Sequence, residues 1–125
     1  MKPCLRVVAA FSLVLLAQIA LAAGSSDLLA GRQTYATFCA NCHGTKGDGE
    51  GPSARWLSPL PRDFTACKLM RMYPDGDLFK AIKDGGPAAL VSFNMPPWKA
   101  ILTDQQISDV LAYERSFCGV TGLSK

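Results

Sequence analysis

Two cysteines and a histidine stand at Cys39-Ala40-Asn41-Cys42-His43, in the order Cys-x-x-Cys-His. Residues three and four apart share one face of a helical turn. Two thiols so placed can each add to one vinyl group of the same porphyrin, and the imidazole beside them can turn a nitrogen onto the iron. The spacing is the attachment signature of c-type haem. Two other chemistries use Cys-x-x-Cys. A thiol–disulfide redox pair belongs with a βαβ pattern, and none surrounds this one. A structural zinc site needs four ligands, usually in two separated pairs. Here there is one cluster and one histidine in the whole chain.

With no second histidine, the far side of an iron held by His43 is left to Met, water or something unusual. Met70, Met72 and Met95 are the candidates. Met95 precedes Pro96 and Pro97, which stiffen the backbone, and a thioether on a rigid loop can reach the iron. Met70 and Met72 read more naturally as core filling. His/Met ligation raises the reduction potential and suits an electron carrier. The outer nitrogen of His43 needs an acceptor, for which a backbone carbonyl of the Gly51-Pro52 loop is the candidate. Haem propionates need donors, and Arg55, Trp56, Arg62 and Trp98 are available. Each of these four can equally be a core aromatic or a solvated cation.

At 125 residues the chain is one small domain plus whatever precedes it. Lys2 and Arg6 flank an apolar run, Val7 to Ala22, ending in Ala20-Leu21-Ala22. That pattern predicts a secretory signal peptide over 1–22, cleaved after Ala22, with the domain over 23–125. The alternative is an uncleaved anchor, although the run is at the short edge of the roughly 17–25 residues that span a bilayer. Cleavage leaves no membrane span and places the product in the periplasm. It also lowers the formal charge from +3 to +1, by removing two of 13 basic residues against 10 acidic ones. No basic run is longer than two residues, which argues against nucleic acid as a partner.

Cys4 leaves with the signal, and haem uses Cys39 and Cys42. Cys67 and Cys118 remain as an even pair in an exported protein, where a disulfide is chemically allowed. Such a bridge would contribute about 4 kcal/mol by the chain-entropy argument. Two buried free thiols are the other reading.

The elements that must hold these groups read as helices and long loops. Ser25, Ser26 and Asp27 offer caps for a helix from about Leu28 that runs into Cys39 with Gly31, Tyr35 and Phe38 at helical spacing. Four glycines between Gly44 and Gly51 demand a loop, and Ser53 to Leu57 can make one helical turn. Asp75 or Asp77 can cap a helix carrying Leu78, Phe79 and Ile82, stopped by Gly85-Gly86 and Pro87. Thr103-Asp104-Gln105-Gln106 is a capping box. It opens a last helix with Ile107, Val110, Leu111, Glu114 and Phe117 in a three-four rhythm. The expectation is an all-α domain of three to four short helices. Its loops are too long for a domain of this size unless they pack on a large flat ligand, so the apoprotein is expected to fold poorly.

Taken together, these residues resemble the single-haem class I cytochromes c of bacteria, over roughly Leu28 to Phe117. The resemblance rests on the early Cys39-x-x-Cys42-His43 and on Gly31 and Tyr35 in the first helix. It rests also on Val110 and Tyr113 in the last helix, on Pro52, and on the Met-Pro-Pro-aromatic segment at Met95. It implies a cytochrome c-like fold around one covalent haem c, with the first and last helices crossing closely at the glycine. It further implies that the Pro52 carbonyl accepts from His43, that Met95 is the distal ligand, and that the protein is not an enzyme. The Cys67/Cys118 pair is no general feature of that family. Three functions follow as expectations. The first is a periplasmic one-electron carrier meeting redox partner proteins transiently at the haem edge, near Lys46, Lys68 and Lys99. The second is a haem subunit or anchored module of a larger respiratory or dehydrogenase complex. The third is a gas-binding or peroxidase-like protein with an open distal site.

Overall fold

Asp27 leaves the chain extended (φ −100°, ψ 109°) and turns its carboxylate onto the backbone N–H groups of Leu29 and Ala30, at 2.8 and 3.2 Å. Two of the donors that a helix start leaves without partners are thereby satisfied. The first helix, α1, spans Leu28–Phe38. The structure, a computed structural model, describes residues 26–89, 92–121 and 123. The signal peptide expected over residues 1–22 and the Ser25 cap lie outside the described residues.

The chain kinks at Cys39 and restarts as the single turn α2, Ala40–His43, so the helix expected to run into Cys39 ends one residue before it. The glycine-rich loop then folds back under α2. Gly49 N–H donates to the His43 carbonyl (2.9 Å), Gly51 N–H to that of Cys42 (3.1 Å) and Ser53 N–H to that of Asn41 (2.9 Å). Gly47 has φ 72°, and a Cβ there would meet the Phe117 ring at 2.7 Å, so only glycine lets the loop lie against the last helix. The turn expected after Ser53 is a 3-10 turn, Ala54–Trp56.

A second single-turn helix, α3 at Cys67–Met70, lies where the sequence suggested only a lead-in. Helix α4 spans Asp75–Asp84. Its cap is Pro74 rather than either aspartate, because the Asp75 carboxylate is taken by Arg115. Gly85, at φ 85°, stops it. Helix α5, Asp104–Ser116, opens with the capping box, Thr103 and Gln106 bonding each other's backbone N–H. Among the described residues there is no strand, and no helix is long and apolar enough to cross a membrane.

The core forms where α1 crosses α5. Tyr35, Ile107, Val110 and Leu111 are fully buried with Met70 of α3. At Gly31 the backbones approach so closely that a Cβ would overlap the Asp109 carbonyl oxygen. The Asp109 side chain in turn accepts from Asp27 N–H at 2.8 Å. Tyr35 packs edge-on to Tyr113 and Phe117, with centroids at 5.2 and 5.6 Å, and donates its hydroxyl to the Gly44 carbonyl at 2.7 Å. That bond hooks the crossing to the start of the glycine loop. On the other side of α5, Arg115 reaches the Asp75 carboxylate and the carbonyls of Met70 (2.6 Å) and Tyr73 (2.5 Å). The sulfurs of Cys67 and Cys118 are 2.12 Å apart, joining the start of α3 to the chain just past α5.

Candidate functional site

A cavity of about 630 Å³ opens between α1, α2, α4 and the loops. That is the size of a site for a drug-sized ligand or cofactor. Cys39, Cys42 and His43 line it, as does Met95 from the loop before α5. The kink at Cys39 brings this about, since the thiols then sit on the first turn of α2 rather than around the continuation of α1. Most of the wall is apolar: Phe38, Leu57, Phe64, Leu78, Ile82 and Trp98 all contribute. Neither Met70 nor Met72 lines it; Met70 is 1% exposed in the helix core and Met72 is 74% exposed. Of the three methionines weighed from the sequence, the fold therefore brings only Met95 to His43.

The imidazole of His43 is held from two sides. Its ring stacks on Phe64 with centroids 4.6 Å apart. Its Nδ1 lies 3.1 Å from the Arg62 carbonyl oxygen. This corrects the expectation for Pro52. The loop returns along α2 through Gly51 and Ser53, which leaves Pro52 exposed. The chain comes back beneath the ring only at Arg62, nineteen residues after His43. With Nδ1–H donating to that carbonyl, Nε2 keeps its lone pair free. Burial holds the imidazole pKa below its usual value, which also favours the neutral, ligating form.

Of the four propionate donors proposed from sequence, Arg62 and Trp98 line the cavity and Arg55 and Trp56 do not. Trp56 is 76% exposed, with the Arg55 guanidinium 4.8 Å over its ring. Trp98 carries the most informative atom of the site. Its Nε1–H is buried and has no hydrogen-bond partner among the described residues. An orphaned buried donor is costly, and a carboxylate carried by a ligand would satisfy it. An apolar cavity with two thiols on one turn, an imidazole, a thioether and an unpartnered buried N–H fits haem c, a flat apolar ring that bears carboxylates.

Glu114 is a site residue that sequence reasoning missed. It belonged to the three-four rhythm of α5, and a carboxylate on that buried stripe was the signal. It lines the cavity and is 4% exposed. Burial pushes its carboxyl up to about 8, against the opposing pull of Arg115 and Arg62. Burial likewise pushes up the Cys39 thiol and the Tyr35 hydroxyl.

Residues 26–113 match the family of the cytochrome c oxidase cbb3-type subunit III, a cytochrome c domain. The chain belongs to that family. Membership implies haem c and makes the protein a haem electron carrier or a subunit of a redox complex. No curated protein matches the chain. A solved structure similar to it is the reducing HAO-like protein complex of Kuenenia stuttgartiensis, 32% identical with a TM-score of 0.55. The match covers 70% of this chain and 41% of that one, so this member of the family spans less than half the length of its structural relative.

Proposed function

We propose that this cytochrome c domain is an exported one-electron carrier holding a single haem c. Cys39 and Cys42 would hold the haem through their thiols, and His43 and Met95 would bind its iron. The observation that carries the reading is that these four side chains, drawn from two distant segments, line one apolar cavity that also holds the unpaired Trp98 N–H. Haem c supplies a ferric/ferrous couple. The chain's own residues do the rest. Arg62 O and the Phe64 ring fix the plane of the His43 ring. Pro96 and Pro97 hold Met95 on a stiff loop. Leu78, Ile82 and Phe38 exclude water, and Trp98 Nε1–H and Arg62 offer donors for propionates. With His43 and Met95 both holding the iron, the chain itself would rearrange little as an electron arrives or leaves. The signal peptide over 1–22, a periplasmic location and an oxidised Cys67–Cys118 bridge belong to the same proposal, because a disulfide persists in an exported chain.

A redox-titrated absorption spectrum of the purified mature protein tests this reading. One covalent haem, one reversible one-electron step and a weak thioether–iron band at the red end of the ferric spectrum are expected. A colourless product, or pigment extracted by acidified acetone, overturns it. The similarity to a two-protein complex favours a second reading, in which the same domain is a haem subunit with a permanent partner. Purification at native expression level decides between them: a free monomer supports the carrier and a stable co-purifying redox protein supports the subunit.

A further inference from the structure

Glu114 has no place in the electron-carrying machinery described so far. Its carboxyl is buried on the wall of the cavity, and the two cations that act on it are both engaged elsewhere. Arg115, its neighbour on α5, spends its guanidinium on the Asp75 carboxylate and on the carbonyls of Met70 and Tyr73. Arg62 lays its guanidinium over the Tyr73 ring at 4.1 Å. From α1 and the kink, the groups that sense it are Tyr35, whose hydroxyl is committed to the Gly44 carbonyl, and Cys39. Tyr113, packed edge-on to Tyr35, and Asp48 act on the Tyr35 hydroxyl more weakly. The other ionisable groups on the cavity wall are Cys42, His43 and Asp63, and Asp63 is occupied by the Thr65 N–H and hydroxyl at 2.7 and 2.6 Å. Among the described residues, then, no ion pair neutralises the buried Glu114 carboxyl on this wall.

A buried charge without a partner is expensive, and its cost depends on what else in the cavity is charged. On the reading above, a haem beside Glu114 changes its own charge by one when an electron arrives. We propose that Glu114 is a redox-linked proton site, taking up one proton from solvent as the haem gains one electron and releasing it as the electron leaves. The electron comes from a one-electron donor protein and the proton from water. One negative and one positive charge enter together, so the net charge of the cavity is unchanged. Linkage makes the effect reciprocal: whatever factor the electron adds to proton affinity, the proton adds to electron affinity. The raised carboxyl pKa places this exchange near neutral pH rather than in acid.

The test is the midpoint potential of the haem-loaded protein between about pH 5 and about pH 10, in wild type and in Glu114→Gln and Glu114→Asp. The wild-type potential is expected to fall as pH rises, by about 59 mV for each tenfold difference in proton affinity between the two oxidation states. Glu114→Gln loses that fall and Glu114→Asp keeps it. A reduced-minus-oxidised infrared difference spectrum gives a second readout. On reduction a neutral carboxylic C=O band appears in wild type, moves in D2O, and is absent in Glu114→Gln. Equal pH slopes in wild type and Glu114→Gln overturn the proposal. So does a wild-type infrared spectrum without the band, which decides the matter if neither variant takes up haem. A colourless protein would instead strike the haem reading itself, so the two failures are distinguishable.

Discussion

At the scale of single residues, the site depends on a few side chains whose alternatives the fold removes. Met95→Ala should leave the haem attached, abolish the red thioether–iron band and let the reduced form bind carbon monoxide; Met70→Leu should leave the spectrum unchanged. Absorption spectra of the two variants check both. Glu114 gives a second outcome at this scale. Its carboxyl is raised from 4.5 to about 8, so the folded state holds the proton more tightly than the unfolded chain. Its contribution to stability is then full below about pH 4.5 and is lost as pH rises toward about 8. Denaturant midpoints measured across that window should fall with pH more steeply in wild type than in Glu114→Gln. The covalent motif was legible in the sequence because its chemistry is packed into five consecutive residues. The His43 acceptor was not. Choosing Arg62 over Pro52 requires knowing where the chain returns, nineteen residues after His43.

At the scale of elements, helix starts and stops were read well where a local device fixes them. Thr103 with Gln106 and Gly85 are such devices. Asp75 was misread as a cap because a partner forty residues away, Arg115, claims its carboxylate. Long-range competition of that kind leaves no mark in a local pattern. The α1–α5 crossing makes the sharpest prediction. Gly31→Ala puts a methyl group into the Asp109 backbone and against Tyr113 Cβ, 3.1 Å away. Overpacking of this kind costs about 1–3 kcal/mol, and here the obstacle is backbone, which cannot rotate aside. A denaturant titration of Gly31→Ala should show a loss at or above the top of that range. Gly76→Ala, where an added Cβ meets nothing within 4 Å, should show none.

For the whole molecule, the proposed function gives two fasteners between parts far apart in sequence: the haem site and the Cys67–Cys118 pair. The pair closes a separation of 51 residues. The chain-entropy argument gives a loop of that length about 4 kcal/mol, and losing a native bridge from a small exported domain typically costs about 2–5 kcal/mol. Cys67→Ser with Cys118→Ser should therefore lower unfolding stability by that order while leaving the haem spectrum intact, as melts monitored at the haem absorption would show. Blocking haem attachment through Cys39→Ser with Cys42→Ser should do more. Much of the cavity wall comes from loop residues between 57 and 64 and between 92 and 98, and far-ultraviolet circular dichroism of that variant should show much of the helix lost.

The two tryptophans occupy very different places: Trp98 in the cavity wall with its ring against Phe38, and Trp56 exposed to water. A porphyrin absorbs where indoles emit, so in the pigmented protein excitation energy passes from both rings to the chromophore and the native state is dark. Unfolding separates each ring from it by a different length of chain, Trp56 lying 14 residues after Cys42 and Trp98 lying 56 residues after it. Emission should therefore return strongly from Trp98 and weakly from Trp56, and single Trp→Phe variants would turn the chain into its own optical ruler.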